Sequence, residues 1–407
     1  MLMIQQGPAA GPKLEKILAS GFCEGVIWDP RDLRPKKINQ YIQENEKYDW
    51  LLHMMEFKQY YQQFDKSDKK KLKDYVQFPT APLDRTFLKQ QKNLDDLVFN
   101  NFDFQHLVAL DYICTPTFYV EDFGHRIIER IIEIWQKSVS FIESEGLTKP
   151  LFATMVISEK AFSNYDYIGD FLDDLGDLSG SVKGVYFTVD RNEMSPLRHR
   201  FDVKSLTNIL QFIHDLKLMG LTVIVGFTSV EGLLYSSVGA DFVGTGWFYS
   251  LRKFNRIQKG LPPEKSFGIQ KKRYTSIKVF SEVPLQEAIY NVGSPSHSLI
   301  LNDCFIDNEL MSGLEIDEIN SNDCYLQHFE EMHKYIKLID SYPDVVEKTD
   351  KILELLETAK INIEKFNNLP HNTYPINGDH IKQYSKAIRP SAVTVSASFN
   401  FSHSAFC

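Results

Sequence analysis

Four aspartates in this sequence lie in or close short apolar runs, where α/β enzymes place their chemistry. Asp29 ends "CEGVIWD" (Cys23–Asp29), Asp111 lies within "HLVALDYIC" (His106–Cys114), Asp190 ends "GVYFTVD" (Gly184–Asp190) and Asp303 ends "SLILND" (Ser298–Asp303). Carboxylates that converge on one mouth can serve as general acid and base, or as nucleophile. Asp190 stands out because the charged "DRNE" follows so apolar a run. Arg31, Ser158, Glu159, Arg191, Glu193, Thr228, Thr245 and Cys304 occupy comparable places. The competing role is structural: Asp at such a position also caps the next helix through its exposed N–H groups. A second kind of site is written in "GFTSVEGLLYSSVGADFVGTG" (Gly226–Gly246), where Ser229 is placed to cap a short helix. Gly244, Thr245 and Gly246 leave backbone amides at a strand end, a cradle for phosphate. Glycine there can equally relieve crowding between strand and helix. Trp247 and Phe248, just beyond, are expected to be exposed and able to stack on a base.

Other chemistries lack their signatures. The chain has no GxSxG, GxxxxGK[ST] or HExxH, and no GxGxxG after a strand. The lone histidines His53, His106, His125 and His214 read as core or surface residues. Cys304, Cys324, His328 and His333 have the types to hold zinc, but their spacing does not demand it, so no metal site and no cofactor is assigned.

The elements that must position these residues alternate between two periodicities. Strand-like runs are Cys23–Asp29, Tyr48–Phe57, His106–Cys114, Leu151–Ser158, Gly184–Asp190, Thr222–Phe227, Ala240–Gly246 and Ser298–Asp303. Helical stripes fall between most of them, such as Ile128, Ile131, Ile132, Trp135, Val139 and Ile142. Eight near-continuous apolar strands separated by helices predict an α/β protein of the (β/α)8 TIM-type barrel class, over 1–310. A doubly wound sheet is the alternative, because strand order is not readable. Two long insertions interrupt the pattern, one holding the basic "KSDKKKLKDY" (Lys66–Tyr75) and "FPTAPLDR", the other "QKGLPPEKSFGIQKKRY". A C-terminal helical extension spans 311–370, with Val345, Ile352, Leu356, Ala359, Ile363 and Phe366 on one stripe. That stripe either packs on the barrel or docks a partner protein. The tail, 371–407, alternates from Val393 to Phe401 and suits either an added strand or a disordered end.

Composition narrows the function classes. A net charge of −9 argues against a surface that coats nucleic acid generally, though a local stripe remains open. Five scattered cysteines without a CxxC pair suit a reducing compartment, "MLMIQQGPAAGPK" lacks the pattern of a signal peptide, and no apolar run suits a membrane span. A cytoplasmic, membrane-free location is therefore expected.

The order of a glycine-turned strand, the helix "VEGLLYSSVG", the "GAD" strand and "SLRKF" resembles the tRNA-guanine transglycosylases, as does "DCYLQHFEEMH" (Asp323–His333). The resemblance implies a (β/α)8 barrel that handles a nucleoside or nucleic-acid ligand, and a base-exchange activity. It departs at two points. Gly244 stands where that family's nucleophilic aspartate falls, and the compact zinc-binding cysteine cluster is missing. Two functions follow as expectations. One is a divergent enzyme binding a phosphorylated nucleoside or nucleic acid at the strand ends. The other is a catalytically inactive barrel that serves as an interaction subunit of a multi-component, antiviral-type system.

Overall fold

The computed structural model describes residues 1–7, 11–30, 33–48, 51–56, 90–191, 200–254, 271–312, 315–370 and 372–389. Arg31, Glu193, both basic or proline-rich insertions apart from the last few residues of the second, and the alternating tail from Val393 lie outside them.

The fold is a mostly parallel, nearly closed barrel of (β/α)8 type. Its strands are β1 (Leu2–Gln5), β2 (Gly25–Trp28), β3 (Leu52–Met55), β4 (Ile113–Cys114), β5 (Tyr119–Val120), β6 (Leu151–Ser158), β7 (Gly184–Asp190), β8 (Thr222–Gly226) and β9 (Phe242–Thr245). They hydrogen-bond in the order β3-β2-β1-β9-β8-β7-β6-β4, and β5 also pairs with β6. β4 and β5 are therefore one stave of the barrel, interrupted by Thr115–Phe118, which leaves eight staves. At the seam between β3 and β4 the His53 carbonyl accepts the N–H groups of Asp111 and Tyr112, at 2.9 and 3.2 Å.

The expected count of strands holds, but its membership shifts by one. The first stave is "LMIQ" at Leu2–Gln5, and "SLILND" is no strand: Ser294–Ile300 is a helix that begins with Pro at its first turn. Pro295 suits a helix start and would cut a buried ladder, which explains the difference. "HLVALDYIC" contributes strand only at Ile113–Cys114, because His106 still belongs to the preceding helix.

Outer helices α1 (Gly11–Ser20), α2 (Pro35–Glu44), α3 (Gln91–His106), α4 (Ile127–Ser144), α5 (Tyr165–Gly176), α6 (Val203–Leu218) and α7 (Gly232–Ser237) follow the strands. After β9 come the hairpin β10 (Arg273–Ser276) and β11 (Ser281–Pro284), then α8 (Ser294–Ile300), α9 (Asp307–Met311), α10 (Ser321–Asp340), α11 (Val345–Asn367) and a last helix over 379–389. α10 packs on α1, α7 and β1, so it completes the outer ring beside the closing strand pair. All six residues of α7 are buried, since α10 and α11 cover its far side. From Ile352 to Phe366 the α11 stripe is buried within this chain, which packs α11 against α7, α8 and α10; Val345 is half-buried, and the buried Thr349 fills the gap in the apolar spacing.

Candidate functional site at the barrel mouth

Each stave sends one side chain into a plug inside the barrel: Met3, Ile27, Met54, Cys114, Phe152, Tyr186, Ile224 and Phe242. Strand side chains alternate between faces, so the residue two positions onward sits in the next layer toward the C-terminal mouth. That layer reads Gln5, Asp29, Glu56, Pro116, Thr154, Thr188, Gly226 and Gly244. The plug is almost wholly apolar, while the layer above it has carboxylates, an amide, hydroxyls and two glycines. In TIM barrels this end of the strands carries the chemistry.

The polar layer is buried and tied together. Asp29, Glu56 and Asp190 are 0%, 2% and 4% exposed. Gln5 donates its amide Nε2–H to Glu56, and the Asp29 N–H donates to Gln6 Oε1 at 2.9 Å. Asp190, one more step up β7, accepts from the Tyr119 hydroxyl at 2.7 Å. Phe254 forms a parallel bridge with Asp190 and packs its ring edge-on to Phe227, centroids 5.3 Å apart. Phe227, directly after β8, holds φ at +57°, a left-handed conformation that a bulky residue adopts only under constraint. Such strain gathers at functional sites. Burial, followed by the nearby charge of Glu56, pushes the Tyr186 phenol well above its ordinary value and keeps it a proton donor.

The glycines make room inside the barrel. A Cβ on Gly226 would lie 2.3 Å from the Tyr186 hydroxyl, and one on Gly244 would lie 2.9 Å from Ile27 Cδ1. Thr245 is engaged through its hydroxyl by His328 Nε2 at 2.8 Å, and His328 Nδ1 meets Thr275 Oγ1 at 2.8 Å. Gly246 is covered by Leu251, whose Cβ is 2.2 Å from where a Cβ would stand, and its carbonyl accepts from Arg252 Nε. All three residues of the expected phosphate cradle are thus packed or bonded within the chain.

Of the four expected carboxylates, Asp29 and Asp190 reach the mouth. Asp111 lies at the opposite, N-terminal end, where its Oδ2 accepts the His53 N–H at 2.7 Å and fastens the β3–β4 seam. Asp303 is exposed, with φ of +61°, in the turn between α8 and α9 outside the barrel. Its place among the strand ends followed from reading "SLILND" as a strand. Ser229 does not cap α7 but donates to Glu282 at 2.6 Å. Trp247 is fully buried, and Phe248 lies half-buried, edge-on to Tyr325, which removes Trp247 as an exposed stacking platform. Glu56, Gln5, Tyr186 and Thr188 were not among the expected site residues. Their signal was the strict alternation Leu52, Met54, Glu56 and Tyr186, Thr188, Asp190, readable once the register is known.

Two buried ion pairs brace the rim. Arg191 pairs with Glu231 at 2.8 Å and stacks on Phe201, and Arg252 pairs with Glu282 at 2.7 Å. Burial pulls the Arg252 guanidinium below its ordinary value, against the pull of Glu282. His333 faces Glu24, 3.8 Å away. Among the described residues no group of three or more His, Cys, Asp or Glu is arranged to hold a metal ion, and none of the helices is long and apolar enough to cross a membrane.

No family model matches this sequence, and no curated protein matches it.

Proposed function

We propose that the protein binds a nucleoside, or the nucleoside end of a nucleic acid, in the barrel mouth and acts on it by carboxylate acid–base chemistry. One observation carries the reading: Asp29, Glu56 and Asp190 are buried at the C-terminal ends of β2, β3 and β7, above a sealed apolar plug. Buried carboxylates are costly and are retained where they have work to do on a ligand or a partner group. Gln5, Thr154, Thr188 and Tyr186 add neutral donors and acceptors, a set suited to the hydrogen-bonding edge of a base or sugar. The phosphate of such a ligand would lie outside this layer, because Gly246 is covered and Arg252 is already paired with Glu282.

The resemblance carried by "VEGLLYSSVGADFVGTG" supports the nucleoside class. Gly244 has no side chain to form a covalent bond, so a divergent base exchange here would depend on Asp29, Glu56 or Asp190 instead. Gly244 is also the observation that favours the second reading, a barrel kept as a scaffold. The α11 stripe does not add to that reading, since this chain itself buries it from Ile352 to Phe366.

The test is a thermal-shift screen of nucleobases, nucleosides, nucleotides and short oligonucleotides. Stabilisation reaches about 2.7 kcal/mol when ligand exceeds its dissociation constant a hundredfold. One ligand class should stabilise the wild type and fail to stabilise Glu56→Gln. A panel without any shift would turn the search to protein partners.

A further inference from the structure

Arg273 opens β10, and strand alternation puts its side chain on the same face as Thr275. That face looks toward the end of β9, because Thr275 is joined through His328 to Thr245. The guanidinium carbon of Arg273 lies 5.4 Å from the centre of the Tyr249 ring, four residues past β9. The Tyr249 phenol also feels the charges of Glu282, Glu231 and Arg191, and Arg191 directly follows β7. Arg273 therefore belongs to the rim of the mouth. The carboxylates around it already have cations: Glu282 has Arg252, Glu231 has Arg191, and Glu287, on the side of Tyr374, has Lys271. Among the described residues Arg273 makes no ion pair and no side-chain hydrogen bond, and its Nη1 is buried without a partner. Buried donors in native proteins are nearly always bonded, and an unmatched one calls for a cause.

We propose that Arg273 is the phosphate contact of the ligand held in the mouth, so that this ligand is a phosphate ester of a nucleoside rather than the free nucleoside. A cation–π contact uses the charge of a guanidinium and none of its five N–H donors. Tyr249 thus holds Arg273 in place while its donor fork stays available, and that fork matches two oxygens of one phosphate. Arg191 and Arg252 have spent their forks on Glu231 and Glu282, which leaves Arg273 as the rim arginine with donors to give. It takes the part expected of Gly244, Thr245 and Gly246, whose positions are packed or bonded within the chain.

The inference rests on the nucleoside reading of the mouth, so its test includes one arm without a nucleoside. Titration calorimetry on the full chain, at constant ionic strength, compares each nucleoside free, as its 5′-monophosphate and inside a trinucleotide. Wild type, Arg273→Gln and Arg273→Lys are measured side by side. In wild type a phosphorylated form should bind at least tenfold tighter than the free nucleoside. A gain already present in the monophosphate identifies a nucleotide, and a gain seen only in the trinucleotide identifies a strand. Arg273→Gln should erase the gain, and Arg273→Lys, which keeps the charge but not the fork, should retain part of it. Equal affinity of all three forms for wild type, or a preference that survives in Arg273→Gln, would overturn the inference and leave the nucleoside reading standing. Inorganic phosphate supplies the remaining arm: it should raise the Tm of wild type more than that of Arg273→Gln. That difference, with no nucleoside bound, would sink the nucleoside reading and keep the phosphate contact. Its absence, with no phosphorylated ligand bound either, would overturn the contact itself.

Discussion

Glu331 offers a stability test whose sign is fixed by the structure. It sits on α10, fully buried, facing the Cys304 thiol at 3.3 Å and the Ile277 N–H at 3.3 Å. Burial raises its carboxyl from 4.5 to about 8, although the Cys304 contact and Lys334 act in the opposite direction. Between those two values the folded chain holds a proton that the unfolded chain has released. The unfolded state binds fewer protons, so stability falls as pH rises through this window and levels off above it. Each pH unit inside the window is worth about 1.4 kcal/mol. Glu331→Gln keeps the shape and the acceptor for Ile277 but does not titrate. The stability of this variant relative to wild type should therefore grow by about 4 kcal/mol from pH 5 to pH 8, an upper figure if the shift is smaller. Urea unfolding of both proteins at pH 5, 6, 7 and 8, followed by circular dichroism, measures it, and groups common to both cancel in the difference. A difference that does not change with pH would refute the reasoning, since Glu331 would then be ionised in the fold.

Three further outcomes follow from packing and pairing. Gly226→Ala drives a methyl into the Tyr186 hydroxyl and Thr188, and should lower stability by about 1–3 kcal/mol, less in a Tyr186→Phe background, as a double-mutant cycle would read. Glu282→Gln leaves the Arg252 guanidinium buried without its counter-charge and should cost roughly 3–5 kcal/mol in chemical denaturation. Asp111→Ala opens the β3–β4 seam by one bond, about 1–2 kcal/mol, and should leave ligand affinity unchanged because it acts at the other end of the barrel.

The barrel was legible because parallel staves buried on both faces read as apolar runs, and seven of the eight expected runs do contribute a stave. The missed stave, "LMIQ", is four residues long and ends in glutamine, too short to show a period. "SLILND" misled because a short apolar run does not distinguish strand from buried helix, and Pro295 was the unread signal. The site was half legible for a related reason. Asp29 and Asp190 announce themselves as strand ends, but Glu56 needs the inward register of β3, which only pairing with β2 fixes. The glycines of "GADFVGTG" were ambiguous between anion binding and close approach; in the fold Gly244 meets Ile27, and Gly246 meets Leu251.

The most direct test of the account is the affinity of wild type and single variants for whichever nucleoside-class ligand the screen yields, by titration calorimetry. Glu56→Gln and Asp190→Asn should each weaken binding at least tenfold, about 1.4 kcal/mol, while Asp303→Asn, outside the barrel, binds as wild type does. Equal affinity in all four proteins would place the ligand elsewhere and contradict the assignment of the mouth as the functional site.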